Sequence, residues 1–261
     1  MTKQIIGIDE VGRGPIAGPI VAASFSLDPQ ILFIIYNRII KALEKEKNTN
    51  SKLLYRLKSI LEFDLESVNY KYRKPEDNLE DKLNKLPLNI LLNVKDSKKV
   101  NYKQREQIAK RFLKIGNLGL GVVSNKYIDT YGIQQANFLC MLKSMKIQKQ
   151  KSTNINKLLF LTDHYNPLSS KKSGKSAMPK IIAITKGDDK SFLIAIASIM
   201  AKVYRDQLMC EYHKIYPQYG FNKHAGYATK NHIEKVKEYG ASKIHRTSFK
   251  LFKTLNITSQ S

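Results

Sequence analysis

The chain has 261 residues, of which 42% are hydrophobic, and this is enough for one ordinary domain with an appendage or for two small domains. Its 45 Lys and Arg residues against 22 Asp and Glu residues give a formal net charge of +23. That balance favours a polyanionic partner such as nucleic acid, although a Lys-rich surface bias alone would produce it too. The longest apolar run, 31–36, is too short to span a membrane, and two isolated cysteines indicate no disulfide framework. We therefore expect a soluble, cytoplasmic protein without a membrane segment.

The first 25 residues predict a β-hairpin that carries two acids. Residues 4–9 and 20–25 have the composition of strands, and a turn rich in Gly and Pro separates them. Asp9 ends the first predicted strand and Glu10 follows it. Because successive strand side chains point to opposite faces, the two acids can share one site only where the strand ends and changes direction.

Residues 31–93 predict a helical insertion after this hairpin. Apolar side chains recur at helical spacing within 32–43 and again within 53–61. The insertion could be an ornament, a DNA clamp or an arm that docks a partner. With no comparison at hand, ornament is the default interpretation.

The rest of the chain alternates strands and helices. Helices are predicted at 102–113, at 127–147 with a kink near Gly132, and from 192 onward; strands are predicted at 118–123, 158–163 and 180–185. This alternation favours an α/β fold with a mixed sheet flanked by helices. From residue 216 onward the chain mixes turns and helices.

Acids stand at the ends of three predicted strands: Asp9 with Glu10, Asp163, and Asp188 one short turn later. Convergent carboxylates are the ligands that Mg²⁺ and Mn²⁺ prefer, and two such ions about 4 Å apart can stabilise both oxygens in phosphodiester hydrolysis. Taken singly, each acid could instead cap a turn or helix or be solvated. No P-loop, His-Glu-x-x-His motif or Ser-His-Asp order is found.

Several motifs, in order along the chain, resemble those of the ribonuclease HII family. They are GIDEVGRGPIAGP at 7–19, DSKK at 96–99, KGD at 186–188, ASIMAKV at 197–203, YPQYGF at 216–221 and HRTSF at 245–249. The resemblance implies a ribonuclease H-like fold, with a catalytic domain over 1–215 and a C-terminal helical extension over 216–261 that contributes to substrate binding. It also implies an endonuclease that uses two Mg²⁺ or Mn²⁺ ions to hydrolyse the RNA strand of RNA/DNA hybrids. Such an enzyme also cuts 5′ of ribonucleotides embedded in duplex DNA, leaving 3′-hydroxyl and 5′-phosphate ends.

The same resemblance implies roles for individual residues. The metal-binding acids would be Asp9, Glu10 and Asp163, with Asp188 as the fourth catalytic acid. The substrate-binding residues would be Gly12, Arg13, Gly14, Lys98, Lys186 and Tyr227. The backbone of 12–14 would contact the 2′-hydroxyl, which separates RNA from DNA, and Tyr227 would pack on the adjacent deoxyribose. Taken alone, the glycines could simply form the turn and Tyr227 could be a core or surface aromatic residue.

Two other functions remain open from the sequence. A type 3 ribonuclease H would carry an N-terminal platform domain, for which the eight residues before Asp9 leave no room. A catalytically degenerate nucleic-acid-binding protein on the same fold would be favoured by loss of one acid, and all four are present. We expect a monomer whose partners are RNA/DNA hybrids and ribonucleotide-containing duplex DNA, and we leave protein partners open.

Overall fold

The computed structural model describes residues 3–45, 51–67, 83, 86–95, 100–152, 154–163 and 180–255. These residues form a mixed five-stranded sheet in the order β3-β2-β1-β4-β5. Its strands are β1 (Gln4–Val11), β2 (Ile20–Ser26), β3 (Asn117–Val123), β4 (Leu158–Asp163) and β5 (Lys180–Ile184). Strand β2 is antiparallel to β1 and β3, whereas β4 is parallel to β1 and β5. The predicted mixed sheet with an antiparallel hairpin is confirmed.

Helices flank this sheet. They are α1 (Pro29–Lys45), α2 (Ser51–Ser67), α3 (Leu88–Lys95), α4 (Tyr102–Phe112), α5 (Asn125–Lys151), α6 (Phe192–Ile215), α7 (Phe221–His224), α8 (Lys230–Tyr239) and α9 (Lys250–Leu255). Helix α5 contains the predicted kink, since Gly132 has φ 83° and ψ 161°. In the ranges that the structure describes, no helix combines the length and apolar character needed to cross a bilayer.

The strand prediction was wrong at one end. Strand β1 does not stop at Asp9 but continues to Val11, because its ladder with β2 extends to the pair of Val11 and Val21. The ladder with β4, by contrast, reaches only from Gln4 to Ile8, which lies beside Thr162. Asp9 therefore lies within a strand but just beyond its last pairing with β4.

Two apolar layers cover the two faces of the sheet. Alternate side chains of β1 and β2 divide between them: Ile6 and Ile8 pack with α5, whereas Val21 and Phe25 pack with α6. Helix α6 lies so close to β1 that a Cβ on Gly7 would be 2.2 Å from the backbone carbon of Leu193. This contact fixes the height of α6 above the strand that carries Asp9.

The predicted insertion shares the apolar layer on the α6 side. Buried residues of α1, α2 and α3 belong to the same cluster as the start of α6; Leu54, Leu57, Leu61 and Leu65 come from α2, and Phe192 and Leu193 from α6. The insertion is therefore packed against the helix that covers the sheet.

The C-terminal segment forms a third apolar cluster with the loop between β1 and β2. Ile16 and Ala17 of this loop pack with Met209 at the end of α6 and with residues of α7, α8 and α9. Backbone hydrogen bonds join the two segments, from Ile16 N–H to the Gly226 carbonyl and from Gly18 N–H to the Ile244 carbonyl. The predicted helical extension thus holds the loop that follows the Asp9-Glu10 pair.

Candidate active site

Asp9 and Asp163 are neighbours just beyond the last pair of the ladder between two parallel strands. The ladder of β1 and β4 ends with Ile8 beside Thr162, so these acids are the next residue on each strand. The pKa of Asp9 is raised to about 8, chiefly by burial and also by the charges of Glu10 and Asp163, while a hydrogen bond with Ser198 lowers it. The three carboxylates are therefore within electrostatic range of one another.

Glu10 has one bonded and one unbonded carboxylate oxygen. Its Oε1 lies 3.5 Å from Nη1 of Arg13, whose side chain is half exposed. Its Oε2 is buried and has no hydrogen-bond partner among the residues that the structure describes. Burial raises the pKa of Glu10, and the charge of Arg13 lowers it while that of Asp163 raises it.

A tight turn brings Asp188 towards Asp163. The backbone N–H of Gly187 donates to Oδ1 of Asp163 at 2.7 Å. A Cβ on Gly187 would lie 3.2 Å from the Asp163 Cα, so the two backbones are nearly in contact. Asp188 follows in the short 3-10 helix Gly187–Asp189, and Lys186 before it has a left-handed backbone with φ 56°. The turn thus connects the end of β5 with the end of β4.

The acids do not form a closed ligand cluster. Within the described ranges, no three His, Cys, Asp or Glu side chains are near enough together to hold a metal ion. The Asp9 carboxylate is engaged by neighbouring protein groups, since its Oδ1 accepts from the Glu10 N–H at 2.8 Å and the Ser198 side chain also hydrogen-bonds it. Two observations nevertheless fit a hard cation: the charge of Asp163 raises the pKa of both Asp9 and Glu10, and the Glu10 Oε2 is buried without a partner among the described residues.

Two buried arginines support the loop that contains Gly12, Arg13 and Gly14. Nη1 of Arg246 donates to the Arg13 carbonyl at 3.1 Å. Arg205 donates to the carbonyls of Ala17, Pro19 and Ala225 at 2.9 to 3.1 Å. Gly12 has φ 98°, and a Cβ there would lie 2.4 Å from Nε of Arg205. Only glycine fits this position, because both the backbone angle and the packing exclude a side chain.

Tyr227 lies beside this loop. The nearest atom to a Cβ built on Gly14 would be Cε1 of Tyr227, at 3.8 Å. The tyrosine is 42% exposed, and it shares a cavity of about 340 Å³ with Glu10, Ser198 and Lys202. The structure therefore brings Gly14, Tyr227 and one of the four acids to the same opening.

A chain of neutral histidines holds the backbone of Tyr227. The Ser242 N–H donates to Nδ1 of His245 at 2.8 Å, so the proton of His245 is on Nε2. That Nε2–H donates to Nε2 of His232 at 3.0 Å, and His232 Nδ1–H donates to the Tyr227 carbonyl at 2.8 Å. Burial lowers the pKa of His232 to about 4 and that of His245 to about 3. Each ring is therefore neutral and held in one tautomer.

Comparison with known proteins now places the chain. A family model described as ribonuclease HII matches residues 81–252. The ribonuclease HII of Clostridium beijerinckii is 36% identical over 248 residues, which cover 95% of this chain and 67% of that protein. The chain belongs to the ribonuclease HII family. This confirms both the predicted family and the predicted enzyme class, a ribonuclease H-type endonuclease. The chain spans about two thirds of the length of the curated relatives it matches.

Solved structures of ribonuclease HII relatives show the same fold. The chain is similar to the ribonuclease H2 of Pyrococcus horikoshii OT3, with a TM-score of 0.58 and 21% identity over 97% of this chain and 96% of that one. It is also similar to Bst-RNase HIII in complex with Mn²⁺, with a TM-score of 0.58 and 16% identity over 97% of this chain and 69% of that one. These matches confirm the predicted ribonuclease H-like α/β fold.

The predicted lysine contacts of this ribonuclease HII-family chain have mixed outcomes. Lys98 lies outside the described residues. Lys186 begins the turn that carries Asp188, and its carbonyl accepts from the Asp189 N–H. Lys202 pairs with Asp206 at 2.6 Å on its own helix. Lys186 is thus placed beside the predicted catalytic acid Asp188, and Lys202 lines the cavity that Glu10 also lines.

Sequence reasoning missed several residues that support the site. The Ser198 side chain hydrogen-bonds Asp9. His232 donates to the Tyr227 carbonyl and Arg246 donates to the Arg13 carbonyl. A polar residue within an apolar stripe was the available signal for Ser198. His232 and Arg246 lie in or near the motifs quoted above, but the motifs did not indicate which groups these two side chains bind.

Proposed function

We propose that this chain hydrolyses the RNA strand of RNA/DNA hybrids and cuts 5′ of ribonucleotides embedded in duplex DNA, leaving 3′-hydroxyl and 5′-phosphate ends. The observation that carries the proposal is the convergence of three acids: the charges of Glu10 and Asp163 raise the pKa of Asp9, and that of Asp163 raises the pKa of Glu10. At the same point the Gly187 N–H joins the Asp188 turn to Asp163. Membership of the ribonuclease HII family supports it.

Asp9, Glu10 and Asp163 would hold two Mg²⁺ or Mn²⁺ ions. The Mn²⁺ complex of Bst-RNase HIII supports this choice of metals. When bound, such ions stabilise the charge that forms on the attacking and leaving oxygens of a phosphodiester. One Asp163 oxygen is already occupied by the Gly187 N–H, so this hydrogen bond would orient the carboxylate. Asp188 would stand beside the site as the fourth acid.

Substrate selection would fall to the loop of Gly12, Arg13 and Gly14 and to Tyr227. A 2′-hydroxyl both donates and accepts hydrogen bonds, and a glycine-rich backbone can approach it closely. The exposed face of Tyr227 next to Gly14 suits a deoxyribose that carries no hydroxyl. The net charge of +23 favours the approach of a nucleic acid duplex.

We further propose that the protein works as a cytoplasmic monomer. The substrate supports the location, because hybrids and embedded ribonucleotides arise where nucleic acids are made and copied. Light scattering of the purified protein tests the oligomeric state. Protein partners stay open.

The test uses a DNA duplex with one embedded ribonucleotide, and an all-RNA/DNA hybrid, each with Mg²⁺ or Mn²⁺. We expect a metal-dependent nick 5′ of the ribonucleotide that is lost in Asp163→Asn. The asparagine keeps an oxygen that accepts the Gly187 N–H, so the fold is preserved while the charge is removed. The matched control is Glu211→Gln, which neutralises an exposed acid paired with Lys214 and should cut normally.

Other outcomes would select other functions. Cleavage of the hybrid alone would support the nuclease activity but contradict the proposal that Tyr227 recognises the deoxyribose next to a ribonucleotide. Tight binding without cleavage of either substrate would favour the catalytically degenerate binding protein.

A further inference from the structure

We propose that Asp64, in the insertion, is a positioning residue that fixes the active-site turn through the N-terminus of α6. The proposal rests on the proposed function, because the turn in question carries Asp188 and binds Asp163. It assigns a task to the insertion that is neither ornament nor docking arm.

Asp64 is a fully buried acid on an apolar face of α2. It lies between Leu61 and Leu65, which are buried in the cluster shared with α6. A buried carboxylate costs several kcal/mol unless hydrogen bonds compensate it. An acid in this place therefore demands a specific set of donors, which ordinary helix packing does not supply.

The N-terminus of α6 supplies one such donor. The Leu193 N–H donates to Oδ2 of Asp64 at 3.0 Å, whereas Oδ1 is buried without a hydrogen-bond partner in the described part of the chain. The pKa of Asp64 is raised to about 7, chiefly by burial, and the nearby Ser191 hydroxyl and the N–H groups of Leu193 and Phe192 keep it from rising further. The free N–H groups and the dipole of a helix N-terminus both favour a carboxylate there. Asp64 thus sets the position of α2 on the first turn of α6.

A continuous series of hydrogen bonds leads from this first turn to the candidate metal site. Ser191 is the N-cap of α6, and its hydroxyl accepts from the Ile194 N–H. The Ser191 N–H donates to the Gly187 carbonyl at 2.8 Å. The Gly187 N–H then donates to Oδ1 of Asp163. Asp64 therefore acts on the Asp163 carboxylate through two residues, Ser191 and Gly187.

A second contact from the same helix reaches the same turn. Nη2 of Arg56 lies 4.0 Å from Oδ1 of Asp189, next to Asp188. Both side chains are about half exposed, so solvent screens this pair and it contributes little by itself. Helix α2 thus approaches the Gly187–Asp189 turn at Arg56 as well as the start of α6 at Asp64.

The test compares Asp64→Ala with Asp64→Asn, Ser191→Ala and the control Leu57→Ala, which removes a buried apolar side chain of the same helix and the same apolar cluster. Rates are measured on the ribonucleotide-containing duplex at a temperature where circular dichroism shows every variant folded. A misplacement of about 1 Å can cost about 100-fold in rate, so we expect Asp64→Ala to lower kcat at least ~10-fold with little change in KM. The Mn²⁺ concentration for half-maximal activity should rise with it. Asp64→Asn retains an acceptor for the Leu193 N–H and should restore most of kcat.

A purely structural role predicts a different pattern. Leu57→Ala should then match Asp64→Ala, with both losing stability and neither losing kcat per folded molecule, and that result overturns the inference. If Asp64→Ala does not fold, Ser191→Ala decides: reduced kcat supports the inference, and wild-type kcat overturns it. A wild-type protein that cuts nothing would instead overturn the proposed function, and the inference with it.

Discussion

His232 and His245 illustrate how single residues hold the backbone of Tyr227, a candidate substrate-binding residue, from the buried side. Each ring has one nitrogen that must donate and one that must accept, because its partners are a backbone N–H, the other ring and a carbonyl. A proton added to either ring would place two N–H groups against each other or against the Ser242 N–H. The fold therefore excludes the charged forms, and this couples the backbone position of Tyr227 to pH.

The histidine chain predicts an acid-dependent loss of stability. The pKa of His232 is lowered from 6.5 to about 4 in the folded protein, so below 6.5 the unfolded state takes up a proton that the folded state refuses. The stabilising contribution is complete above pH 6.5 and is lost as the pH falls towards 4. We expect the loss of unfolding free energy caused by His232→Asn to be about 2 kcal/mol smaller at pH 5 than at pH 7. Urea unfolding at the two pH values measures this difference.

Comparing the unfolding free energies of this variant and the wild type at each pH cancels the contributions of other titrating groups. Asp9 and Asp64 have raised pKa values and change stability in the opposite direction over the same range. Equal penalties at the two pH values would contradict the assigned neutral tautomers.

At the scale of elements, α5 is two helical segments joined at one residue. Gly132 has φ 83° and ψ 161°, a backbone region that is almost restricted to glycine, and a Cβ there would meet no atom within 4 Å. The kink is therefore maintained by backbone conformation and not by lack of space.

Gly132→Ala should destabilise the protein by about 1–3 kcal/mol, because alanine must either adopt the strained angles or straighten the helix. Urea unfolding measures this loss. The control is Gln134→Ala, an exposed position in the same helix where we expect a change within about 0.5 kcal/mol. A neutral Gly132→Ala would mean that α5 straightens at no cost.

Elements with strong periodicity could be predicted from the sequence, but their ends and contacts could not. Strand β4 ends at Asp163 as expected, whereas β1 passes Asp9 because β2 pairs with it as far as Val11. The acids could be named because their residue types stand at strand ends. Asp64 could not, because its bond to Leu193 joins residues 129 positions apart in the chain, and no local pattern encodes that contact.

For the whole molecule, the charge of +23 predicts binding that depends strongly on salt. Each phosphate neutralised adds about 0.9 to the slope of log affinity against log salt. With at least ~3 phosphates contacted, affinity for a hybrid should fall at least ~40-fold from about 50 to about 200 mM salt. Fluorescence anisotropy with the Asp163→Asn variant measures this without cleavage. An affinity that does not change with salt concentration would mean that the positive charge is only a compositional bias of the surface.

The sheet order places β1 between β2, its neighbour in sequence, and β4, which is distant. During synthesis on a ribosome, the β1–β2 hairpin and the insertion helices leave the exit tunnel long before β4 exists. Asp9 and Glu10 are therefore synthesised before Asp163, and the turn with Asp188 is synthesised last. Pairings of such large sequence separation form late and slowly. A nascent or prematurely terminated chain that ends before β4 carries two of the four candidate acids, so the candidate active site cannot assemble until β4 and the Asp188 turn have been synthesised.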